Sequence, residues 1–220
     1  MLANGSITDL EVVVDQVFRE LRDATLRVQE TEHHFCSQTP ADLRLHTGLA
    51  SGADQLAARS ARSVGYSIRA VLPFSAEDYR QDFALGDELD AFELALTAAD
   101  EIVALPGDRG APEDAYVLVG KALIEKADII IAVWDGQEGR GPGGTAHVVE
   151  LARQNLVPVI HIDVNWSSDA IGTRIFVGDT AIEPEAGLHL TSESYYNLLR
   201  GTLNAAAAIA TVSPGTAHRP

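Results

Sequence analysis

The chain has 220 residues, a length typical of one domain with or without an appendage. Apolar residues make up 46% and charged residues 22%, which excludes disorder, collagen-like repeats and coiled coil as descriptions of the whole chain. Sixteen Lys and Arg residues against 32 Asp and Glu residues give a net charge of −16. Such a charge repels nucleic acids and anionic membranes, so we expect neither as a partner. A small anion can still bind, because local backbone dipoles can hold it.

Cysteine usage and short apolar runs favour a cytoplasmic location. Cys36 is the one cysteine and has no partner for an internal disulfide, which favours a reducing compartment. The longest apolar run, 129–134, is far shorter than the ~20 residues of a bilayer span, and no signal peptide is recognisable after Met1. His33, His34 and Cys36 lack the further spaced ligands of a zinc site, so we expect no metal and no cofactor.

Helical and strand patterns alternate along the chain. The predicted elements are a helix at 9–29, a strand at 43–47, a helix at 53–64, a strand at 66–72, a helical region at 75–99 broken near Gly86, a strand at 101–105, a helix at 114–126, a strand at 128–134, a helix at 145–155, strands at 157–162 and 173–177, and a helix at 192–209. Continuous apolar strands are typical of a parallel sheet that is covered on both faces. We therefore predict an α/β fold, a Rossmann-like parallel sheet with helices on both faces.

Two glycine-bearing turns lead from predicted strands into predicted helices, which is where open parallel sheets bind ligands. The first turn offers the hydroxyl groups of Thr47 and Ser51. Gly48 and Gly52 in the same turn permit positive φ and a close approach of the backbone to a ligand. This turn is a candidate wall of a ligand site.

The second turn, 136–145, has more features suited to a phosphate. Gly143 and Gly144 let backbone amides converge, and Thr145 adds a hydroxyl group. Arg140 supplies a fork-shaped cation that matches phosphate oxygens. The second turn is therefore the stronger prediction of a phosphate site.

Three further residues are candidates for roles at these turns. Asp135, which precedes Gly136, is placed either to contact a ribose hydroxyl or to begin the turn. Asp54 fits a partner for the helix dipole, and Tyr116 either stacks on a base or packs in the core. The candidate ligand-binding residues are, together, Thr47, Gly48, Ser51, Gly52, Asp135, Gly136, Arg140, Gly143, Gly144 and Thr145.

Neither turn matches a common nucleotide-binding motif. No Lys-Ser or Lys-Thr pair follows, as a Walker A loop requires, and neither turn has the G-x-G-x-x-G spacing with an acidic residue about 20 residues on. These departures argue against an ATPase and an ordinary dinucleotide dehydrogenase. A glycine turn also occurs where a chain simply reverses tightly, and that alternative stays open.

The motifs Leu49-Ala50-Ser51-Gly52-Ala53-Asp54 and Gly143-Gly144-Thr145 resemble those of the SLOG superfamily. This Rossmann-like group includes Lonely Guy phosphoribohydrolases, DNA-processing protein A and nucleotide-sensing domains of bacterial conflict systems. The run 132–136, followed by the second motif, looks closest to the sensor-like branch. The resemblance covers roughly 43–163, and we predict a SLOG-like domain over 1–165. The patterns that follow are less regular and predict a C-terminal extension packed on the same domain over 166–212. Residues 213–220 have little to bury and are predicted to form a flexible tail.

The resemblance implies that a homodimer binds a nucleotide or NAD-derived phosphate ligand, for sensing or signalling. The alternative is an N-glycosidase that acts on nucleoside monophosphates, with Glu150 as its catalytic residue. In the Lonely Guy motif P-G-G-x-G-T-x-x-E, residues 142–144 match and Glu150 falls on the catalytic Glu, but Ala146 and His147 replace the G-T pair. Binding of single-stranded DNA, as in DNA-processing protein A, is a third class, and the net charge argues against it.

The resemblance also predicts a strand that this sequence lacks. In the family, a first strand with its own glycine-bearing loop precedes the first helix and is central to the sheet. Only a few residues precede Thr8, where the first helix is predicted to be capped. We therefore expect the N-terminal strand to be missing from the 220 residues, or the site to be degenerate, and one wall of the ligand pocket to be missing with the strand.

Overall fold

The computed structural model describes residues 4–32, 39–137, 141–165, 170–184 and 189–211. The elements are α1 (Asn4–Thr31), β1 (Arg44–Thr47), α2 (Ala53–Ser63), β2 (Ser67–Leu72), α3 (Ala76–Tyr79), a short 3-10 helix (Arg80–Asp82), α4 (Asp87–Ala98), β3 (Glu101–Ala104), α5 (Pro112–Lys126), β4 (Ile130–Trp134), α6 (Thr145–Gln154), β5 (Val159–Asn165), β6 (Ala170–Val177), β7 (Thr180–Ile182) and α7 (Ser192–Thr211). The sequence predicts this order apart from β7, whose residues are all exposed and carry no apolar pattern. His33, His34, Cys36 and the expected tail at 213–220 lie outside the described residues.

The strands form two sheets. In the first sheet β1, β2 and β3 pair in parallel, with Thr47 opposite Ala70 and Val71 opposite Val103. In the second sheet β4 pairs in parallel with β5, whereas β5, β6 and β7 pair antiparallel. The prediction of parallel strands is confirmed within β1 to β3 and between β4 and β5, which lie in separate sheets, and β6 and β7 add an antiparallel edge.

Helices cover both faces of the sheets, which confirms the predicted α/β, Rossmann-like architecture. α2 connects β1 to β2, and α6 connects β4 to β5. The edge strands β1 and β4 line one cavity, so the two connections lead away from it in opposite directions. Because crossovers between parallel strands are right-handed, α2 and α6 lie on opposite faces. α1 packs against α2 and α7, and α5 packs against α6.

One cluster of buried residues joins the two sheets. It contains Ile68 on β2 and Ile160 on β5, and it also contains Val14 and Phe18, which α1 presents on its apolar stripe. The Phe18 and Tyr66 rings meet edge to face, with centroids 5.3 Å apart. The two sheets therefore share one core. Among the described residues, no helix is long and apolar enough to cross a membrane.

The helical region predicted at 75–99 is divided near Gly86, as expected. Gly86 has a φ of 96°, in the left-handed region that favours glycine, and it precedes the first residue of α4. Ser75 caps α3, because its hydroxyl oxygen accepts a hydrogen bond of 3.1 Å from the Asp78 amide. Phe83 and Phe92 stack with ring centroids 4.3 Å apart and hold the two helical pieces together.

β1 and β4 are edge strands of their respective sheets, and they are not hydrogen-bonded to each other. Both strands line the same cavity, β1 through residues 43–47 and β4 with its preceding residue through 129–133. We call the space between these two strands the slot. The slot divides the parallel strands into two groups that share a core but not a ladder of hydrogen bonds.

Candidate functional site

A cavity of about 1130 Å³ extends along the slot, and its lining includes residues at the carboxyl ends of the strands. Both glycine turns line this end of the cavity and pack against α5, because a Cβ on Gly48 would lie 3.5 Å from Val119 and a Cβ on Gly143 would lie 2.5 Å from Tyr116. We call this end of the cavity the mouth. The mouth is lined by Thr47, Gly48, Asp54, Tyr116, Gly143, Gly144 and Thr145.

The structure brings together five of the ten predicted ligand-binding residues. They come from both turns, and they are Thr47, Gly48, Gly143, Gly144 and Thr145. Ser51 and Gly52 are exposed and do not line the cavity. Asp135 and Gly136 do not line it either. Arg140 lies outside the described residues.

The first turn is organised around the Asp54 carboxyl group. Its Oδ2 accepts a hydrogen bond of 3.3 Å from the Ala50 amide, and the Gly48 amide and the Thr47 hydroxyl also donate to the carboxyl group. The Thr47 Oγ1 in turn accepts a hydrogen bond of 3.2 Å from the Leu49 amide. The amides of residues 48–50 therefore have partners within the turn and are not free to bind a phosphate.

Burial of the Asp54 carboxyl group raises its pKa above the ordinary value, although the three hydrogen bonds oppose this change. Gly48 allows the close approach, since a Cβ at this position would lie 3.2 Å from Oδ2 of Asp54. The sequence predicts Asp54 as a partner for the helix dipole. The structure places it inside the mouth, and a carboxyl group there suits the hydroxyl groups of a sugar.

The second turn requires glycine at one position. Gly143 has a φ of 83°, and a Cβ on it would lie 2.5 Å from the Cβ of Tyr116. Its amide donates a hydrogen bond of 2.9 Å to Nδ1 of His147, which lies in the first turn of α6. The His147 side chain fixes the turn against its own helix, a role that the sequence did not reveal.

The amino end of α6 offers free donors at the mouth. Gly144, the residue before the helix, makes no side-chain cap, and the first helical hydrogen bond runs from the Val148 amide to the Gly144 carbonyl at 3.1 Å. The amides of Thr145 and Ala146 consequently have no acceptor in the described part of the chain. Such amides, together with the helix dipole, form an anion-binding arrangement.

Tyr116 forms a fixed aromatic side of the mouth. Its hydroxyl group hydrogen-bonds to Asp82, which also pairs with Arg109, and its ring meets Phe74 edge to face with centroids 6.1 Å apart. Burial and then the hydrogen bond to Asp82 raise the pKa of the Tyr116 phenol, so the phenol stays protonated. The ring is half-buried, and it both packs in the core and lines the cavity.

The slot carries basic side chains towards the amino ends of its strands. Arg44, His46, Arg69 and Lys126 line this part, and Arg69 pairs with Glu101 at 3.1 Å. Burial, followed by the charges of Arg69 and Arg44, lowers the pKa of His46. Sequence reasoning missed this cluster because its members come from β1, β2 and α5, which no local pattern connects.

Two predicted functional carboxylates lie away from the mouth. The Asp135 Oδ1 accepts a hydrogen bond of 3.1 Å from the Gln137 amide, which is the geometry of a residue that begins a turn. Glu150 is exposed and accepts a hydrogen bond of 2.8 Å from the side chain of Gln154. In this arrangement neither carboxylate contacts the cavity.

Comparisons with known proteins add no assignment. No protein-family model matches the chain, and the curated proteins and solved structures compared with it include no significant match. The resemblance to the SLOG superfamily therefore stays a prediction that rests on the motifs of the two turns.

Proposed function

We propose that the protein binds a small phosphate-bearing ligand of the nucleotide or NAD-derived type at the mouth. The observation that carries this proposal is that two glycine turns, from separate halves of the chain, line one end of the same cavity, where the amides of Thr145 and Ala146 have no acceptor among the described residues. A nucleotide needs donors for its phosphate beside an acceptor for its sugar, and the mouth contains both.

The two turns have different roles in this proposal. The free amides at the start of α6 and the Thr145 hydroxyl hold the phosphate, and Arg140 adds charge from the same turn. Asp54 replaces Asp135 as the residue that accepts a ribose hydroxyl, because Asp54 lines the mouth and Asp135 does not. Tyr116 supplies an aromatic wall beside the phosphate turn.

Binding without cleavage is the form of the proposal that the geometry supports. The catalytic role predicted for Glu150 requires its carboxylate to reach the glycosidic bond, whereas this side chain is exposed and bonded to Gln154. A site that holds its ligand intact is suited to sensing or signalling.

Isothermal titration with AMP, ADP-ribose and inorganic phosphate, followed by chromatography of the ligand, tests the proposal. We expect saturable binding of AMP or ADP-ribose, intact ligand after incubation, and at least a tenfold weaker affinity in Arg140→Ala, as the loss of a charge-assisted contact predicts. Lys121→Ala, which removes a cation outside the cavity lining, is the matched control. Release of free base would instead establish the N-glycosidase alternative.

The proposal includes two predictions about partners, one on self-association and one on nucleic acid. We expect a homodimer in solution, so light scattering should give twice the mass of one chain. The mass of a monomer would refute the prediction of a homodimer. We also expect no shift of single-stranded DNA in a gel at low salt, because the net charge of −16 opposes a phosphate backbone.

A further inference from the structure

The slot has unpaired strand edges on both sides. β1 uses one edge to pair with β2, and β4 uses one edge to pair with β5. Within the described residues, no strand pairs with the other edge of either strand. Unpaired edges of this kind are templates for a further strand.

The backbone of β1 directs hydrogen-bonding groups into the slot. The Leu43 carbonyl accepts a hydrogen bond of 2.9 Å from the Ser67 amide, on the side of β2. Backbone groups of successive residues in a parallel ladder point to opposite sides, so those of Arg44 and His46 point away from β2 and towards β4.

The backbone of β4 does the same from the other side. The Ile130 amide donates a hydrogen bond of 2.8 Å to the Pro158 carbonyl, on the side of β5. The backbone groups of Ile129, Ile131 and Val133 consequently point towards β1. Two rows of backbone donors and acceptors therefore face each other across the slot, and a strand between them would satisfy both rows.

The middle of the slot is apolar above and below. α1 contributes Val14, Phe18 and Leu21 to one side, whereas α5 contributes Val119 and Leu123 to the other side. A strand that is covered by helices on both faces reads as a continuous apolar run. The apolar lining therefore favours a strand whose side chains are apolar on both faces.

The direction of α1 defines how such a strand connects. Glu11 on α1 pairs with Arg59 on α2 at 3.5 Å. Further along both segments, the Tyr66 hydroxyl, just after α2, donates a hydrogen bond of 3.4 Å to the Phe18 carbonyl on α1. Both contacts advance together along the chain, so α1 runs in the same direction as α2. α2 runs opposite to β1, so α1 begins at the carboxyl ends of the strands. A strand parallel to β1 in the slot would end where α1 begins, and strand, α1 and β1 would form a right-handed crossover.

We propose that the slot is the docking site of one extended, apolar strand of about five residues that leads directly into the amino end of α1. It pairs in parallel with β1 on one side and β4 on the other, whose lengths are four and five residues. The two sheets then become one continuous sheet. The end of this strand reaches the mouth and closes the side of the ligand site that lies between the two glycine turns.

Hydrogen exchange of the 220-residue chain, followed residue by residue by NMR, gives the first test. We expect the amides of His46 and Ile131 to exchange about 100-fold faster than those of Ile68 and Ile160, which lie in paired strands. Equal protection of all four amides would show that the edges are already paired, and it would overturn the proposal.

A chain that is extended at its amino end by Val-Ile-Val-Ile-Ala and a short Gly-Ser connection gives the second test. We expect a higher Tm and about 100-fold slower exchange of the His46 and Ile131 amides than in the unextended chain. The matched control carries serine at each Val and Ile of the extension, and it should change neither quantity. Equal effects of the two extensions, or no effect of the apolar one, would overturn the proposal. Protection of these amides by Val-Ile-Val-Ile-Ala added as a separate peptide, but not by the same segment fused to the chain, would overturn the connection to α1.

Discussion

Gly143 and Tyr116 are in such close contact that no side chain fits between them: a Cβ on Gly143 would lie 2.5 Å from the Cβ of Tyr116. The second glycine turn is thereby fixed against Tyr116, the fifth residue of α5. Gly143 also has a φ of 83°, which L side chains rarely adopt. The glycine is required by the packing as well as by the backbone, and the position of the free amides that follow depends on it.

Gly143→Ala should therefore lower the free energy of unfolding by about 2 kcal/mol or more, because it adds backbone strain and a steric clash. Denaturant unfolding measures this change. Gly141→Ala is the matched control in the same turn, since a Cβ there would meet nothing within 4 Å. Its effect should stay within about 0.5 kcal/mol. Similar stabilities of the two variants would show that the contact with Tyr116 does not hold the turn.

Asp54→Asn should change how stability depends on pH. Burial raises the pKa of Asp54 from 3.8, so the folded protein holds this proton more tightly than the unfolded chain does. The group therefore costs no stability below its unfolded pKa, and stability is lost as the pH rises through the folded pKa. Asn avoids this loss and keeps an oxygen that can accept from the Ala50 amide.

The measurement is denaturant unfolding of the wild type and Asp54→Asn between pH 4 and pH 7. The stability of the variant relative to the wild type should rise across this range. Asp135→Asn is the control, because Asp135 likewise accepts from a turn amide but lies outside the cavity lining. A constant difference between Asp54→Asn and the wild type would contradict the assignment of a desolvated carboxyl group to the mouth.

Glu150→Gln should leave both stability and ligand affinity unchanged, within about 0.5 kcal/mol. The Glu150 side chain is exposed, its hydrogen bond to Gln154 can be retained by Gln, and it does not line the cavity. Calorimetric titration and thermal unfolding measure the two quantities. Loss of a base-releasing activity in this variant would support the N-glycosidase alternative instead.

Local sequence patterns predict much of the fold and part of the site. Pro142, Gly143 and Gly144 directly precede α6, and the free amides of that helix follow from its position after them. The division of the helical region at Gly86 is also predicted, because glycine readily adopts positive φ. These features depend on residues that are close together in the chain.

Contacts between distant residues explain what the sequence could not predict. The approach of Tyr116 to Gly143 depends on how α5 packs against the second turn. Asp54 enters the mouth because Gly48 leaves room for its carboxylate, which no spacing rule reveals. Asp135 has the same chemistry, but its local hydrogen bond to the Gln137 amide holds it in the turn.

The backbone amide of Thr145 is the group on which the proposed phosphate site depends most directly. Thr145→Pro removes this amide and the hydroxyl group, whereas Thr145→Ala removes the hydroxyl group alone. Proline is favoured at the first position of a helix, and Gly144, with φ −77° and ψ 173°, already has the extended conformation that a following proline requires. The helix should therefore form in both variants.

Calorimetric titration of these two variants with ADP-ribose and AMP is the most direct test of the account. Thr145→Ala should weaken binding several-fold, as the loss of one hydrogen bond predicts, and Thr145→Pro should weaken it at least tenfold further, with unchanged far-UV circular dichroism. Equal affinity of Thr145→Pro and the wild type would contradict the account, because a phosphate would then not be held by the amides at the start of α6.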